Sequence, residues 1–145
     1  MIKGKPPRLD LIYVEQPLYF VAFCTLHRRP LLANAQAHGN FRKYCTNAIA
    51  HGVGVGRYVM MPEHVHFFVR GDEEFDLGLW IRGLKRAILP GPGLWQPGFF
   101  DHILRSDESY SEKWDYVRNN PVRAGLIPDT GKWPYQGEIV LIDRA

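Results

Sequence analysis

An α+β sandwich of the ferredoxin-like type is the fold class this sequence predicts, and three observations lead to it. Apolar runs and amphipathic stretches follow one another as strand, helix, strand, strand, helix, strand, helix, which describes two βαβ-like halves around a central hairpin. Residues 18–25 form a continuous apolar run rich in aromatics, the pattern of an interior strand covered on both faces. The length of 145 residues, 46% hydrophobic and 23% charged, suits one domain over 1–145 with a single core and no need of disulfide staples. An antiparallel sheet with helices on one face leaves its other face to a ligand or partner.

Each element has its own signal. After the first strand, Phe41, Tyr44, Cys45, Ala48 and Ile49 recur at helical spacing, and Gly52 supplies a C-terminal glycine. Two β-rich runs, 55–61 and 64–70, are parted only by Pro62-Glu63, so they read as a hairpin or a tight corner. Over 76–89 the set Leu77, Trp80, Ile81, Leu84 and Ile88 makes a second amphipathic helix with a basic flank of Arg82, Lys85 and Arg86. Pro90-Gly91-Pro92-Gly93 breaks the chain, and 99–104 reads as a fourth strand. Ser109 with Glu112 forms a capping box, opening a helix expected to run toward Asn120. The tail, 129–145, with Trp133-Pro134 and Ile139-Val140-Leu141-Ile142, is expected to fold back on the body as one added strand. No repeat, low-complexity segment or linker divides the chain.

No apolar stretch reaches the roughly 20 residues of a membrane span, and the opening residues lack the pattern of a signal peptide. No membrane association and a cytoplasmic location are therefore expected. Cys24 and Cys45 have no metal or redox spacing and read as buried thiols. The net charge of +3, with a pI near 9.0, suits a polyanionic partner without demanding one.

The residues that suggest chemistry lie in two segments. In Met61-Pro62-Glu63-His64-Val65-His66-Phe67-Phe68-Val69, His64 and His66 stand at period two in a strand and so project from one face. Two imidazoles a few Å apart can share a divalent ion, and as ligands they suit Mn, Ni, Co or Zn better than Mg. The ordinary alternative is one packed histidine and one surface histidine. Apolar neighbours crowd both sides, which raises the cost of burying two imidazoles to no purpose. Glu63 alternates to the opposite face and is discounted as a ligand. In Tyr116-Val117-Arg118-Asn119-Asn120-Pro121-Val122-Arg123-Ala124-Gly125-Leu126, Tyr116 and Asn120 stand at i and i+4, on one face of a helix. Together the segments hold two nitrogen ligands, an amide oxygen and a nucleophile, the minimum for metal-assisted attack on a phosphodiester. A phenol titrates near pH 10, so its use as a nucleophile needs help of roughly 4 kcal/mol, part of which a divalent ion can supply by polarising the phosphate. The plainer reading makes Tyr116 a surface tyrosine and Asn120 the residue that ends a helix before proline. Arg118 and Arg123 flank this site, and Arg82, Lys85 and Arg86 could follow a DNA backbone or form only a solvated face. Tyr110 is the rival nucleophile.

Met61-Pro62-Glu63-His64-Val65-His66 resembles the Met-Pro-Asn-His-Val-His signature of the HUH single-tyrosine transposases (IS200-like). Tyr116 to Leu126 resembles the Tyr-(x)3-Asn-Pro-Val-Arg-Ala-Gly-Leu segment of the REP-associated tyrosine transposase branch. Trp95-Gln96-Pro97-Gly98-Phe99 with Asp101-His102-Ile103-Leu104-Arg105, and Phe23-Cys24-Thr25 with Arg29-Pro30-Leu31-Leu32, are similar to two further family stretches, so the likeness spans about 18–128 in order. The resemblance implies a ferredoxin-like sheet bearing the His pair, a late helix bearing the catalytic tyrosine, and strand transfer on single-stranded DNA, often folded as hairpins. It implies His64, His66 and Asn120 as ligands of Mg2+ or Mn2+. Tyr116 would be the nucleophile, leaving a 5′-phosphotyrosine and a free 3′-hydroxyl. Glu63 departs from the signature, where asparagine is usual. Two further readings stand beside this one: a non-catalytic binder of single-stranded DNA or RNA hairpins, and a small hydrolase in which His64, His66 and a carboxylate activate water. A monomer is expected ahead of a homodimer.

Overall fold

The computed structural model describes residues 16–104 and 110–142. The expected start of the late helix at Ser109 lies outside the described residues. The chain runs β1 (Tyr19–Cys24), α1 (Ala35–Ala48), β2 (Val53–Met60), β3 (His64–Gly71), α2 (Leu77–Ile88), β4 (Phe100–Ile103), α3 (Tyr110–Val117), α4 (Asn120–Arg123) and β5 (Gln136–Glu138). The strands form one five-stranded antiparallel sheet ordered β4-β1-β3-β2-β5. The first four strands have the predicted ferredoxin-like order, with β5 added beyond β2.

The two faces of β3 show how the layers divide. Phe67 packs against Phe41 of α1 and Trp80 of α2, so both helices cover that face. Phe68, its neighbour, points the other way and meets Tyr110 of α3 edge-on, 4.5 Å between centroids. Val65, Phe67, Phe68 and Val69 are fully buried, each worth about 1.5–3 kcal/mol of transfer free energy. Helices α1 and α2 therefore form the predicted layer, and the late helix α3 covers part of the opposite face. Among the described residues, what stays open there is the strip over β1, β4 and the start of β3.

Local chemistry sets the boundaries. Asn34 caps α1 by accepting from the Ala37 N–H, and Asp76 does the same for α2 at Leu79. Gly52 closes the turn after α1 at φ 77°, a left-handed conformation that glycine adopts without a Cβ clash. A bulge between Val55 and Tyr58 interrupts β2. At this point a Cβ on Gly56 would collide with the Tyr110 hydroxyl and the Ile142 side chain, so glycine lets α3 and the tail settle on the sheet.

The tail folds back as expected: its one added strand is Gln136–Glu138, and Ile139, Val140 and Ile142 are buried core residues. One expectation is corrected. The late helix does not run unbroken to Asn120. It stops at Val117, turns through Arg118 and Asn119, and restarts as α4. Pro121 has no N–H to donate to the Val117 carbonyl, so the hydrogen-bond ladder of α3 cannot continue through it, whereas a proline in the first turn of a new helix is tolerated. Asn119 stabilises the break by donating its side-chain N–H to the Asp115 carbonyl, 2.6 Å away. No helix among the described residues is long and apolar enough to cross a membrane.

Candidate active site

His64 and His66 open β3 on the sheet face away from α1 and α2. The register sets them opposite Cys24 and Ala22 of β1. Their rings meet edge to face with centroids 4.6 Å apart, and His66 stacks flat on Phe20 at 5.5 Å. The corner before them is pinned: Thr25 N–H donates to the Glu63 carbonyl and Leu32 N–H to the Pro62 carbonyl. The predicted pairing of the two imidazoles on one face therefore holds.

Their surroundings favour neutral rings with free lone pairs. Burial pulls His66 down to about 3, helped by the adjacent His64 and by the positive charges of Arg123 and Lys113. His64 is also lowered, chiefly by burial, against the opposing pull of Glu63. Glu63 precedes the strand, so period-two alternation does not govern it. Its carboxylate accepts from His64 Nδ1 at 2.8 Å. That fixes the tautomer and leaves Nε2 as the lone-pair nitrogen, the arrangement of a carboxylate orienting a metal-binding histidine. His66 Nδ1 is buried with no hydrogen-bond partner among the described residues. A buried, unpaired ring nitrogen beside an oriented imidazole fits a divalent ion. No cluster of three His, Cys, Asp or Glu occurs among the described residues, so a third protein ligand would be an amide such as Asn120.

The break between α3 and α4 changes how the second segment is assembled. Tyr116 and Asn120 do not share one continuous helix, but Arg123 joins them. Its guanidinium lies 4.3 Å from the centre of the Tyr116 ring and donates to Asn120 Oδ1. Tyr116 is 68% exposed. An amide oxygen has two lone pairs, so Asn120 Oδ1 retains capacity for a second partner. Arg123 also bears electrostatically on His66, which ties this cluster to the His pair. Arg118 is exposed and lies 4.0 Å from Asp115 across one helical turn.

Tyr110, the rival nucleophile, is a structural residue. It is 4% exposed, its hydroxyl accepts from the Arg57 N–H at the bulge, and burial drives its phenol far above the usual range.

The basic flank of α2 divides. Arg82 and Arg86 are exposed on the helical layer, across the sheet from the His pair. Lys85 is engaged: its ammonium donates to the carbonyls of Gln96 and Gly98 and sits 5.4 Å over the Phe23 ring. It braces the 96–98 loop, which with Arg28, Cys24 and Phe100 walls a cleft of about 480 Å3 at the His pair. Sequence reading missed Lys113, whose charge bears on His66 and whose ammonium lies 5.2 Å from the Phe20 ring centre. Its place three residues before Tyr116, on the same helix face, was the available signal.

A five-stranded antiparallel α+β sandwich, with a histidine pair on its open face and an exposed tyrosine on a late helix, defines the class of protein. No protein-family model matches the chain. It is similar to a REP-associated tyrosine transposase of Escherichia coli (strain K12), 32% identical over 87 residues, covering 56% of this chain and 52% of that protein. A relative from Haemophilus influenzae, provisionally given the same name, is 37% identical over 94 residues, covering 52% and 53%. The chain thus spans about half the length of these relatives. Among solved structures, the fold is similar to that of a REP-associated tyrosine transposase bound to a REP hairpin, with a TM-score of 0.72, 21% identity, and 90% and 92% of the two chains covered. The resemblance to REP-associated tyrosine transposases therefore extends from sequence motifs to fold.

Proposed function

We propose that this protein nicks and rejoins single-stranded, hairpin-bearing DNA, with Tyr116 as nucleophile and a divalent ion, Mg2+ or Mn2+, held by His64, His66 and Asn120. The observation that carries the reading is the pair of oriented, neutral imidazoles on the open sheet face, linked through Arg123 to an exposed tyrosine and an amide. Its relatives support the substrate class: one is a transposase solved with a DNA hairpin.

When bound, the ion would polarise the scissile phosphate and offset its developing charge. The chain's own residues do the rest. Glu63 holds the His64 ring, and burial keeps His66 unprotonated. Arg123 stacks on the Tyr116 ring and donates to Asn120 Oδ1, which holds the nucleophile beside the amide. The Tyr116 oxygen bonds to phosphorus as the bond to the 3′-oxygen breaks, and the departing oxygen takes up a proton. One phosphoester replaces another, so the bond energy is kept for rejoining, when a 3′-hydroxyl attacks the phosphotyrosine. The added strand β5 covers the outer edge of β2, which supports action as a monomer.

The test is incubation with labelled hairpin oligonucleotides carrying single-stranded flanks and Mn2+, followed by a denaturing gel. A covalent band that disappears with chelator or in Tyr116→Phe is expected. Firm hairpin binding by the wild type with no covalent band would instead assign the protein to the non-catalytic binders.

A further inference from the structure

Helix α3 brings a second chemically active side chain to the His pair, about one turn before Tyr116. We propose that Lys113 binds the DNA phosphate lying at the His pair and holds it for attack by Tyr116. The catalytic part of this proposal rests on the cleavage reading above, to which it adds a residue on the tyrosine's own helix.

Contacts on three elements place the ammonium. Lys113 is half-buried on α3, and its Nζ lies 5.2 Å from the centre of the Phe20 ring on β1. Phe20 in turn stacks flat on His66 of β3, with centroids 5.5 Å apart. The lysine stem therefore leans over β1 toward the His pair. Tyr116 follows at i+3, on the same side of the helix and about 4.5 Å further along its axis. A phosphodiester reached by Tyr116 from α3 and by His64 and His66 from the sheet must lie between these two layers. The Lys113 ammonium borders that space.

The chemistry of the ammonium calls for an anion. It carries three N–H donors and no acceptor, and among the described residues no carboxylate, carbonyl or hydroxyl accepts from it. Other cations of the region are committed to the protein. Arg123 donates to Asn120 and stacks on Tyr116, Arg118 lies beside Asp115, and Lys85 holds two loop carbonyls. An aromatic ring replaces only part of the hydration that a half-buried ammonium gives up. The charges of Arg123 and Lys113 both bear on His66, so they oppose a divalent ion held there by itself. A phosphate carries the negative charge that offsets this opposition. Lysine suits the task as a compact point charge on a flexible stem, able to follow a phosphate oxygen.

The experiment has two readouts. The first is binding of a labelled oligothymidylate to full-length Tyr116→Phe protein in EDTA, across a series of salt concentrations. Adding Lys113→Met keeps the stem over Phe20 and removes the charge. The log–log salt slope is expected to fall by about 0.7, the value of one phosphate contact on a single strand, and Lys113→Arg is expected to restore it. An unchanged slope would make Lys113 a packing residue and overturn the proposal. The second readout, in protein that keeps Tyr116, is the rate of covalent-adduct formation on saturating hairpin DNA with Mn2+. Lys113→Met is expected to slow it about hundredfold. A reduced slope with an unchanged adduct rate would move the contact to a phosphate away from the His pair and overturn the proposal. A reduced slope in a protein that forms no adduct even with both residues intact would keep the Lys113 contact and overturn the cleavage reading instead.

Discussion

The two tyrosines of α3 offer a direct way to separate scaffold from chemistry, because each substitution to phenylalanine removes a single oxygen. In Tyr110→Phe the lost oxygen is the one that accepts the Arg57 N–H at 2.7 Å, at the bulge where β2 leaves its register with β3. The ring stays packed on Phe68 with the Arg57 guanidinium 5.5 Å from its centre, so the transfer free energy is nearly unchanged. An N–H stripped of its partner costs about 1–3 kcal/mol when buried. Arg57 is half-buried, which lets water recover part of this and places the expected loss near 1–2 kcal/mol. For a chain of 145 residues that lowers the melting temperature by roughly 3–7 °C. Tyr116→Phe acts on an exposed ring and is expected to move stability by no more than about 0.5 kcal/mol. The assay pairs a thermal melt with covalent-adduct yield at 25 °C. Tyr110→Phe should melt early and still form adduct; Tyr116→Phe should melt normally and form none. Loss of adduct in Tyr110→Phe with an unchanged melting temperature would refute the assignment of roles.

Three further outcomes are expected. Gly56→Ala places a methyl against the Tyr110 hydroxyl and Ile142 and should cost about 1–3 kcal/mol by urea unfolding, whereas Gly39→Ala, with open space around it in α1, should stabilise by about 0.5–1 kcal/mol. Lys85→Met keeps the stem over Phe23 but frees two carbonyls of the 96–98 loop; amide exchange through Gly98–Phe100 should quicken about tenfold, read by mass spectrometry. The metal-free protein should lose stability in acid. His38, His64 and His66 are all held below the ordinary imidazole pKa of 6.5, through burial first in each case. The unfolded chain therefore binds more protons, so this stability is full above about pH 6.5 and lost as pH falls, for His66 down to about 3. Denaturant midpoints measured from pH 7 to pH 4 should fall steadily, and a flat profile would contradict the buried, neutral pair.

Much of this architecture is legible in the sequence because it is periodic. A continuous apolar run marks β1 and a β-rich run marks β3, and helical spacing sets α1 and α2 over the sheet. Period two alone aligned His64 with His66. Features that depend on single contacts were not legible. The first turn of α1, Ala35-Gln36-Ala37-His38-Gly39-Asn40, carries little apolar signal, so the helix begins earlier than its pattern. A three-residue edge strand such as β5 is too short to show a period. Spacing made Lys85 look like part of a basic stripe, whereas its length lets it reach across to a loop. Glu63 was discounted by a strand rule that does not apply one residue before the strand. Pro121 marked the end of a helix; that Arg123 would bridge the break to keep Tyr116 and Asn120 together needed three-dimensional coordinates.

The central claim is that the bond to DNA forms at Tyr116, and peptide mapping of the trapped adduct tests it most directly. Trypsin cuts after Lys113 and Arg118, releasing Trp114-Asp115-Tyr116-Val117-Arg118 apart from the peptide that carries Tyr110. After nuclease trimming, the account predicts that a nucleotide mass rides on the 114–118 peptide, with fragment ions placing it on Tyr116 and its yield dependent on Mn2+. Modification of the Tyr110 peptide instead, or unmodified tyrosines in protein that has cleaved its DNA, would contradict it.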